Sequence, residues 1–319
     1  MKKMLVVLSV AILCLFACAP GFAQQNQIVL EYPDNMKEKG FEEALVLESM
    51  PQRVVCLHAT PVLALHELGV PLVGVPKSRV VVWPDSLQER IEADFEIGHG
   101  ANFDAETVVA LQPDLVLLGY TAKDTYGVIL ETAGIPTYYV DAGHTVSYES
   151  IKAQTEALIA AFDPQGEAGK EILERFVKLE ARLAEEKTRN AGKTVMVLQS
   201  SPPSHYIQSN IGTLGSMADM LGFENVYHAP QAPMVLLDLE VALSYNPDYI
   251  FSVGALPSGE EQQKSMEEDF ANNPDYWNAI PAIKEGRILY LPIGYISSAG
   301  INVVDNINLL IDQVHQLTD

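Results

Sequence analysis

Asp104-Ala105-Glu106 opens a short apolar helical pattern that ends at Gln112-Pro113-Asp114, the apolar run Leu115-Val116-Leu117-Leu118 and Gly119. Much later the chain says the same thing again. Asp238-Leu239-Glu240 opens a similar pattern, followed by Asn246-Pro247-Asp248, the run Tyr249–Val253 and Gly254. The Glu-to-Pro spacing is identical in the two copies. A phrase repeated at this length marks two similar αβ units, and two similar lobes imply a cleft between them. In each copy the acidic residue before the helix has a structural use, as an N-cap and as a negative charge at the positive end of the helix dipole. The pairs therefore need no catalytic explanation.

The rest of the chain fits this frame. A chain of 319 residues with 48% hydrophobic content can fill two cores of ordinary size. From Val54 strand and helix patterns alternate: strands at Val54–Leu57, Leu72–Val75, Leu115–Leu118 and Thr137–Val140, helices at Pro61–Leu68, Phe103–Gln112 and Ala122–Ala133, with Gly69 and Gly134 as stops. Alternation of this kind predicts a mostly parallel sheet covered by helices. Gln27–Glu31 and Ala44–Leu47 read as a hairpin ahead of it. Ser147–Phe162 reads as an amphipathic helix of about 24 Å, long enough to bridge two small lobes. A second helix, Glu167–Arg189, carries Ile172, Phe176, Leu179 and Leu183 on one face. The second half offers strands at Thr194–Leu198, Tyr249–Val253 and Ile288–Leu291, and helices at Gly212–Met220, Leu239–Tyr245 and Ile301–Leu317. The expected fold class is α/β, with two αβ lobes joined by a long backbone helix. The expected units are a leader over 1–23, an N-terminal lobe over 24–146, a connecting helical region over 147–190 and a C-terminal lobe over 191–319.

Lys2 and Lys3 ahead of the apolar stretch Leu5–Ala17 form an export signal too short to be a comfortable membrane span. Gly21-Phe22-Ala23 supplies small residues for cleavage before Gln24. A rival reading takes Leu15-Phe16-Ala17-Cys18 as a lipobox that would anchor the protein through Cys18, although Phe16 is bulky for it. Either way the protein is expected to be exported, or periplasmic. Cys14 and Cys18 belong to the leader, so Cys56 is the single cysteine of the body, and its apolar surroundings mark it as a core residue. The net charge of −22 and the lack of a basic stripe argue against nucleic acid.

Several phrases in order resemble the periplasmic binding proteins that serve ABC importers of iron–siderophore complexes, haem and cobalamin. They are Pro51-Gln52-Arg53-Val54-Val55, Leu65-His66-Glu67-Leu68-Gly69-Val70, Val73-Gly74-Val75, Gly98, Glu106, Leu111–Val116, Leu221–Val226 and Asn246-Pro247-Asp248. The resemblance runs from about residue 50 to the end of the chain. It implies two lobes on a rigid backbone helix, with Ser147–Phe162 in the place of that helix. It implies an exported monomer that is not an enzyme and needs no cofactor, that captures a metal chelate and passes it to a permease with a cytoplasmic ATPase. In that family a Glu near the start of the first helix of each lobe meets the permease. Leu63 and Ser216 hold those positions here, so docking would fall to other acidic residues such as Glu67 or Asp219.

Ligands of αβ sheets sit at the C-terminal ends of strands. Those loops carry His58, Trp83, His99, Tyr120 and His144 in the first lobe, and His205, Tyr206 and Tyr295 in the second. Tyr and Trp offer broad contact and a polar tip to a flat, partly apolar ligand, and His or Tyr can ligate haem iron. Each could equally pack its own lobe. Lys77 and Arg79 are the basic residues of the Trp83 loop, and the second-lobe loops are nearly free of cations, which disfavours a strongly anionic ligand. No His-x-x-x-His, Cys-x-x-Cys, phosphate loop or Gly-x-Ser-x-Gly appears. The alternatives are a stand-alone exported haem or corrinoid binder and a tetrapyrrole metal chelatase on a similar bilobed fold.

Overall fold

The computed structural model describes residues 27–77, 82–95, 103–142, 146–295 and 300–318. The leader, with Cys14 and Cys18, lies outside the described residues. Chain order begins with β1 (Ile28–Leu30), α1 (Asp34–Lys37) and β2 (Leu45–Leu47), where β1 and β2 pair antiparallel. The first lobe follows: β3 (Val54–Cys56), α2 (Val62–Glu67), β4 (Leu72–Pro76), α3 (Asp85–Gln88), β5 (Ala93–Phe95), α4 (Ala105–Ala110), β6 (Leu115–Gly119), α5 (Val128–Thr132) and β7 (Thr137–Val140). Its sheet is wholly parallel in the order β5-β4-β3-β6-β7. Strands buried on both faces need continuous apolar runs, and β3, β4 and β6 are such runs. Cys56 lies inside β3, and burial pushes its thiol pKa up. Gly119 is followed by a 3-10 turn (Tyr120–Ala122) and a π turn (Lys123–Gly127), so only the last part of the expected Ala122–Ala133 helix is α-helical.

Two helices lie between the sheets in the chain: α6 (Tyr148–Phe162), capped by Ser147 accepting from the Ser150 N–H, and α7 (Glu167–Arg189). The bridging role expected of Ser147–Phe162 falls to α7. Helix α6 packs along the first lobe, against β1 and α2. Helix α7 touches both lobes: Arg175 meets Glu67 on α2 at 3.3 Å, and at the other end Asn190 Nδ2 donates to the Leu221 carbonyl at 3.1 Å. The reason is length. Twenty-three residues reach about 34 Å, whereas the fifteen of α6 span one lobe only. The stripe Ile172, Phe176, Leu179 and Leu183 is buried as its spacing predicts.

The second lobe runs through β8 (Thr194–Ser201), β9 (Ser204–Gln208), α8 (Thr213–Met220), β10 (Glu224–Asn225), β11 (Met234–Leu236), α9 (Leu239–Tyr245), β12 (Tyr249–Val253), α10 (Gly259–Asn272), α11 (Pro274–Trp277), α12 (Pro281–Lys284) and β13 (Ile288–Leu291) to α13 (Val303–Thr318). The path of its sheet is β11-β9-β8-β12-β13, with β10 paired to β8. Here β8-β12-β13 is parallel, while β9 and β11 are antiparallel additions. The segment Ser200–Tyr206, expected as a loop, is therefore the tip of a hairpin turning at Pro202-Pro203.

The repeated phrase builds the same joint twice. Asp104 and Asp238 cap α4 and α9, each accepting from the backbone N–H two residues on, at 3.0 and 2.9 Å. Gln112 and Asn246 close those helices in the left-handed region, at φ 48° and 41°. The next acid then clamps the neighbouring strand. Asp114 accepts from the N–H groups of Gln52 and Arg53 at 2.6 and 2.9 Å, at the start of β3. Asp248 accepts from the N–H and hydroxyl of Thr194 at 2.8 and 2.9 Å, at the start of β8. Each clamp fixes the register of a parallel pair, β3 with β6 and β8 with β12.

Candidate functional site

The two lobes meet along a seam past the end of β3 and beside the start of α6. Past β3, the Thr60 carbonyl rests against Gly300, which precedes α13; a methyl group on Gly300 would overlap that oxygen, and φ there is +67°. On the helical side of the seam, Val146–Glu149 faces Asn210, Ile211 and α8 across a cavity of about 340 Å³. The seam is where a ligand held between the lobes would sit.

His58 leaves β3 as the strand ends and is half-buried. A Cβ on Gly119, the last residue of β6, would come within 3.6 Å of its Cδ2, which places the imidazole beside the start of the Tyr120 turn. Burial lowers the His58 pKa to about 4, against the opposing pull of Asp141. The Thr60 N–H donates to its Nδ1 at 3.4 Å. Tyr120 is half-buried, with Phe41 edge-on at 6.4 Å and the Lys39 ammonium 5.4 Å from its ring centroid. Lys123, in the next turn, places its ammonium 4.6 Å from the Phe41 ring and 5.6 Å from that of Tyr139. Asp141, just past β7, accepts from Ser150 at 2.6 Å and Asn35 at 3.2 Å, which fastens α6 and the N-terminal segment to the strand end.

The second lobe treats its histidine differently. His205 is 5% exposed and Ser200 1%. His205 Nδ1 lies 3.0 Å from Ser200 Oγ, and Nε2 lies 3.2 Å from Asp269 Oδ2 on α10. The Trp277 indole donates to the same carboxylate oxygen at 2.8 Å, and Asn273 donates to the other at 3.2 Å. Burial lowers the His205 pKa, and Asp269 offsets part of that shift. A Ser–His–Asp chain invites a nucleophile reading. Here the hydroxyl is sealed from solvent and every ring nitrogen is used, so the chain is a brace that ties the β8–β9 hairpin to α10 and α11.

The expected site residues separate on this geometry. His58 and Tyr120 come together, and Tyr206, 38% exposed on β9, is the most open of the second-lobe candidates. Three others face inward. Besides His205, the Trp83 indole donates to the Pro76 carbonyl at 2.9 Å within the core, and Tyr295 is buried with its hydroxyl 3.2 Å from Gln313 Oε1 and its pKa raised by burial to about 12. Each ring has more apolar area to bury than its loop position suggests. His99 and His144, like Arg79, lie outside the described residues. Lys39 and Lys123 at the Tyr120 corner were not read from the sequence: Lys39 arrives from the polar segment before β2, and no local pattern links it to Tyr120. Among the described residues, no group of three or more His, Cys, Asp or Glu side chains is arranged to hold a metal ion. At the first helices, Leu63 packs against the core and the Ser216 hydroxyl donates to the Thr213 carbonyl at 2.9 Å.

Two αβ lobes on a spanning helix, one sheet wholly parallel and the other mixed, define a bilobed fold with a seam between the lobes. Residues 54–293 match the periplasmic binding protein family, and the chain belongs to it. It is a substrate-binding protein of the ABC-importer type, and its relatives bind substrates rather than transform them. The high-affinity heme uptake system protein IsdE of Staphylococcus aureus is 25% identical over 245 residues, covering 74% of this chain and 77% of that protein. Among solved structures, the catecholate-siderophore binding protein VctP of Vibrio cholerae superimposes with a TM-score of 0.64 at 21% identity, covering 91% of this chain and 99% of its own. The vitamin B12 binding protein BtuF of Vibrio cholerae gives 0.62 at 16% identity, covering 85% and 99%. These likenesses establish the fold. No helix among the described residues is long and apolar enough to cross a membrane.

Proposed function

We propose that this protein captures a metal chelate of the haem, ferric-siderophore or corrinoid class between its lobes and delivers it to an ABC permease. The observation that carries the reading is family membership combined with the chemistry at the seam. Half-buried His58 and Tyr120 stand beside the buried Phe41–Tyr139 pair, with the Lys39 ammonium over the Tyr120 ring and that of Lys123 over Phe41, and Tyr206 is exposed on the other lobe. Aromatic faces suit a flat, partly apolar ligand. Lys39 and Lys123 also supply cations that can meet anionic groups on its edge. Lys123 makes no ion pair among the described residues, while Lys39 lies 3.7 Å from Asp141. Haem is the first probe because a relative matched in sequence is a protein of a high-affinity heme uptake system.

In this reading the 1–23 leader exports the protein, which works as a monomer, and Cys18 is the alternative point of attachment to a membrane. Docking uses the faces of α2 and α8. Glu67 and Asp219 are the acids there. Glu67 is already shared with Arg175, and burial raises the pKa of Asp219.

Titration of the purified mature protein with haemin, cyanocobalamin and ferric catecholate and hydroxamate siderophores tests the proposal. One of them is expected to quench tryptophan fluorescence with a Kd on the order of micromolar or tighter. Binding of none overturns it.

A further inference from the structure

The geometry points to His58 as an N–H donor toward the seam, selecting ligand oxygen atoms rather than the metal of a chelate. The argument takes the seam as the ligand site and so rests on the function proposed above. A backbone N–H can only donate, so the Thr60 N–H directed at His58 Nδ1 requires that nitrogen to carry a lone pair. With a pKa near 4 the ring is neutral at physiological pH. A neutral imidazole has one proton, and it must then sit on Nε2. Metal ligation needs a nitrogen lone pair, and the single one available is engaged by Thr60. Nε2, on the Cδ2 side of the ring, has no hydrogen-bond partner among the described residues. The ring is held in place on two sides, by the Thr60 N–H and by the Gly119 backbone, where a Cβ would come into contact with Cδ2. A donor fixed in this way suits a carboxylate, a carbonyl or a hydroxamate or catecholate oxygen on the rim of the ligand, and Lys39 and Lys123 near Tyr120 favour the same kind of group.

The proposal is tested in two arms. In the first, nitrogen-15 NMR of the ligand-free protein reads the His58 tautomer at neutral pH. A proton on Nε2 is expected, and a proton on Nδ1 overturns the proposal. In the second, wild type, H58A and H58Q are titrated with haemin and with metal-free protoporphyrin IX. Loss of one donor is expected to weaken both porphyrins by the same factor, roughly tenfold. The Gln amide, which reaches to the position of Nε2, should recover most of the loss. An H58A variant that loses haemin but keeps metal-free porphyrin, or the disappearance of an iron–imidazole absorption signature in H58A, overturns the proposal. Failure of the wild type to bind any chelate overturns the function instead, and the tautomer, measured without ligand, still decides whether His58 is a donor.

Discussion

In the first lobe the strand that Asp114 clamps, β3, ends at Cys56 and releases His58 to the seam. In the second lobe the strand that Asp248 clamps, β8, runs on to Ser201 and turns back as β9, carrying His205 into the interior. The joints far from the seam are alike down to the left-handed residue before each proline. The ends at the seam are not alike. An added antiparallel hairpin turns into core, in the second lobe, the place that in the first lobe is a half-buried loop at the strand end. The repeated scaffold thus keeps the contacts that set strand register and varies the strand ends at the seam.

The sharpest way to break this contrast is to remove each histidine. His205→Ala is expected to destabilise the protein by about 3 kcal/mol, because it removes one of the partners of buried Asp269, leaves the buried Ser200 hydroxyl without its ring nitrogen and opens a cavity beside Trp277. His58→Ala should cost under about 1 kcal/mol of stability and act on ligand affinity instead. Urea unfolding of both variants checks the pair, and equal losses would erase the distinction. Acid titration sharpens it next. The folded His58 pKa of about 4 lies below the usual 6.5, so between those values the unfolded chain takes up a proton that the folded chain refuses. The stability present above pH 6.5 should therefore fall as the pH drops toward 4, by at most about 3 kcal/mol from this residue. His205, lowered in the same direction, adds to the trend. Thermal melts across this range should show a shallower decline for His58→Gln than for the wild type; parallel curves would remove His58 from the account. The smallest effect tests the likeness of the lobes. Asp114→Ala and Asp248→Ala each take the acceptor from two donors and should each cost about 1–2 kcal/mol. A large inequality between them would mean that the two clamps are not equivalent.

The parts of the fold visible in the sequence are those written in apolar periodicity or in fixed phrases. The runs Val54–Leu57 and Leu115–Leu118 are buried strands, and the stripe of α7 is buried along its length. Helix α10 was not visible because it hides only Gln262, Met266 and Asp269 behind a run of Glu and Gln, too few apolar positions to set a period. The β8–β9 hairpin was missed because Pro202-Pro203 reads as a loop, and the bond from His205 to Asp269 joins residues far apart in the chain. The candidate site was legible only as a set of strand ends. Which side chains turn toward the seam was not, since Trp83, His205 and Tyr295 are drawn inward by partners that local sequence does not reveal.

Gly300 carries the last consequence. The chain crosses the seam at α7 and comes together again where Gly300 meets Thr60. Beyond that contact α13 is pinned to α7, by Arg182 with Asn308 and Asp312 and by Glu186 with His315. Two lobes held at separate points have little freedom to swing apart, so a ligand entering the seam is expected to change the outline of the molecule little. In the function proposed above, the permease is then given almost no signal in shape and reads the cargo itself, or the few side chains the cargo touches.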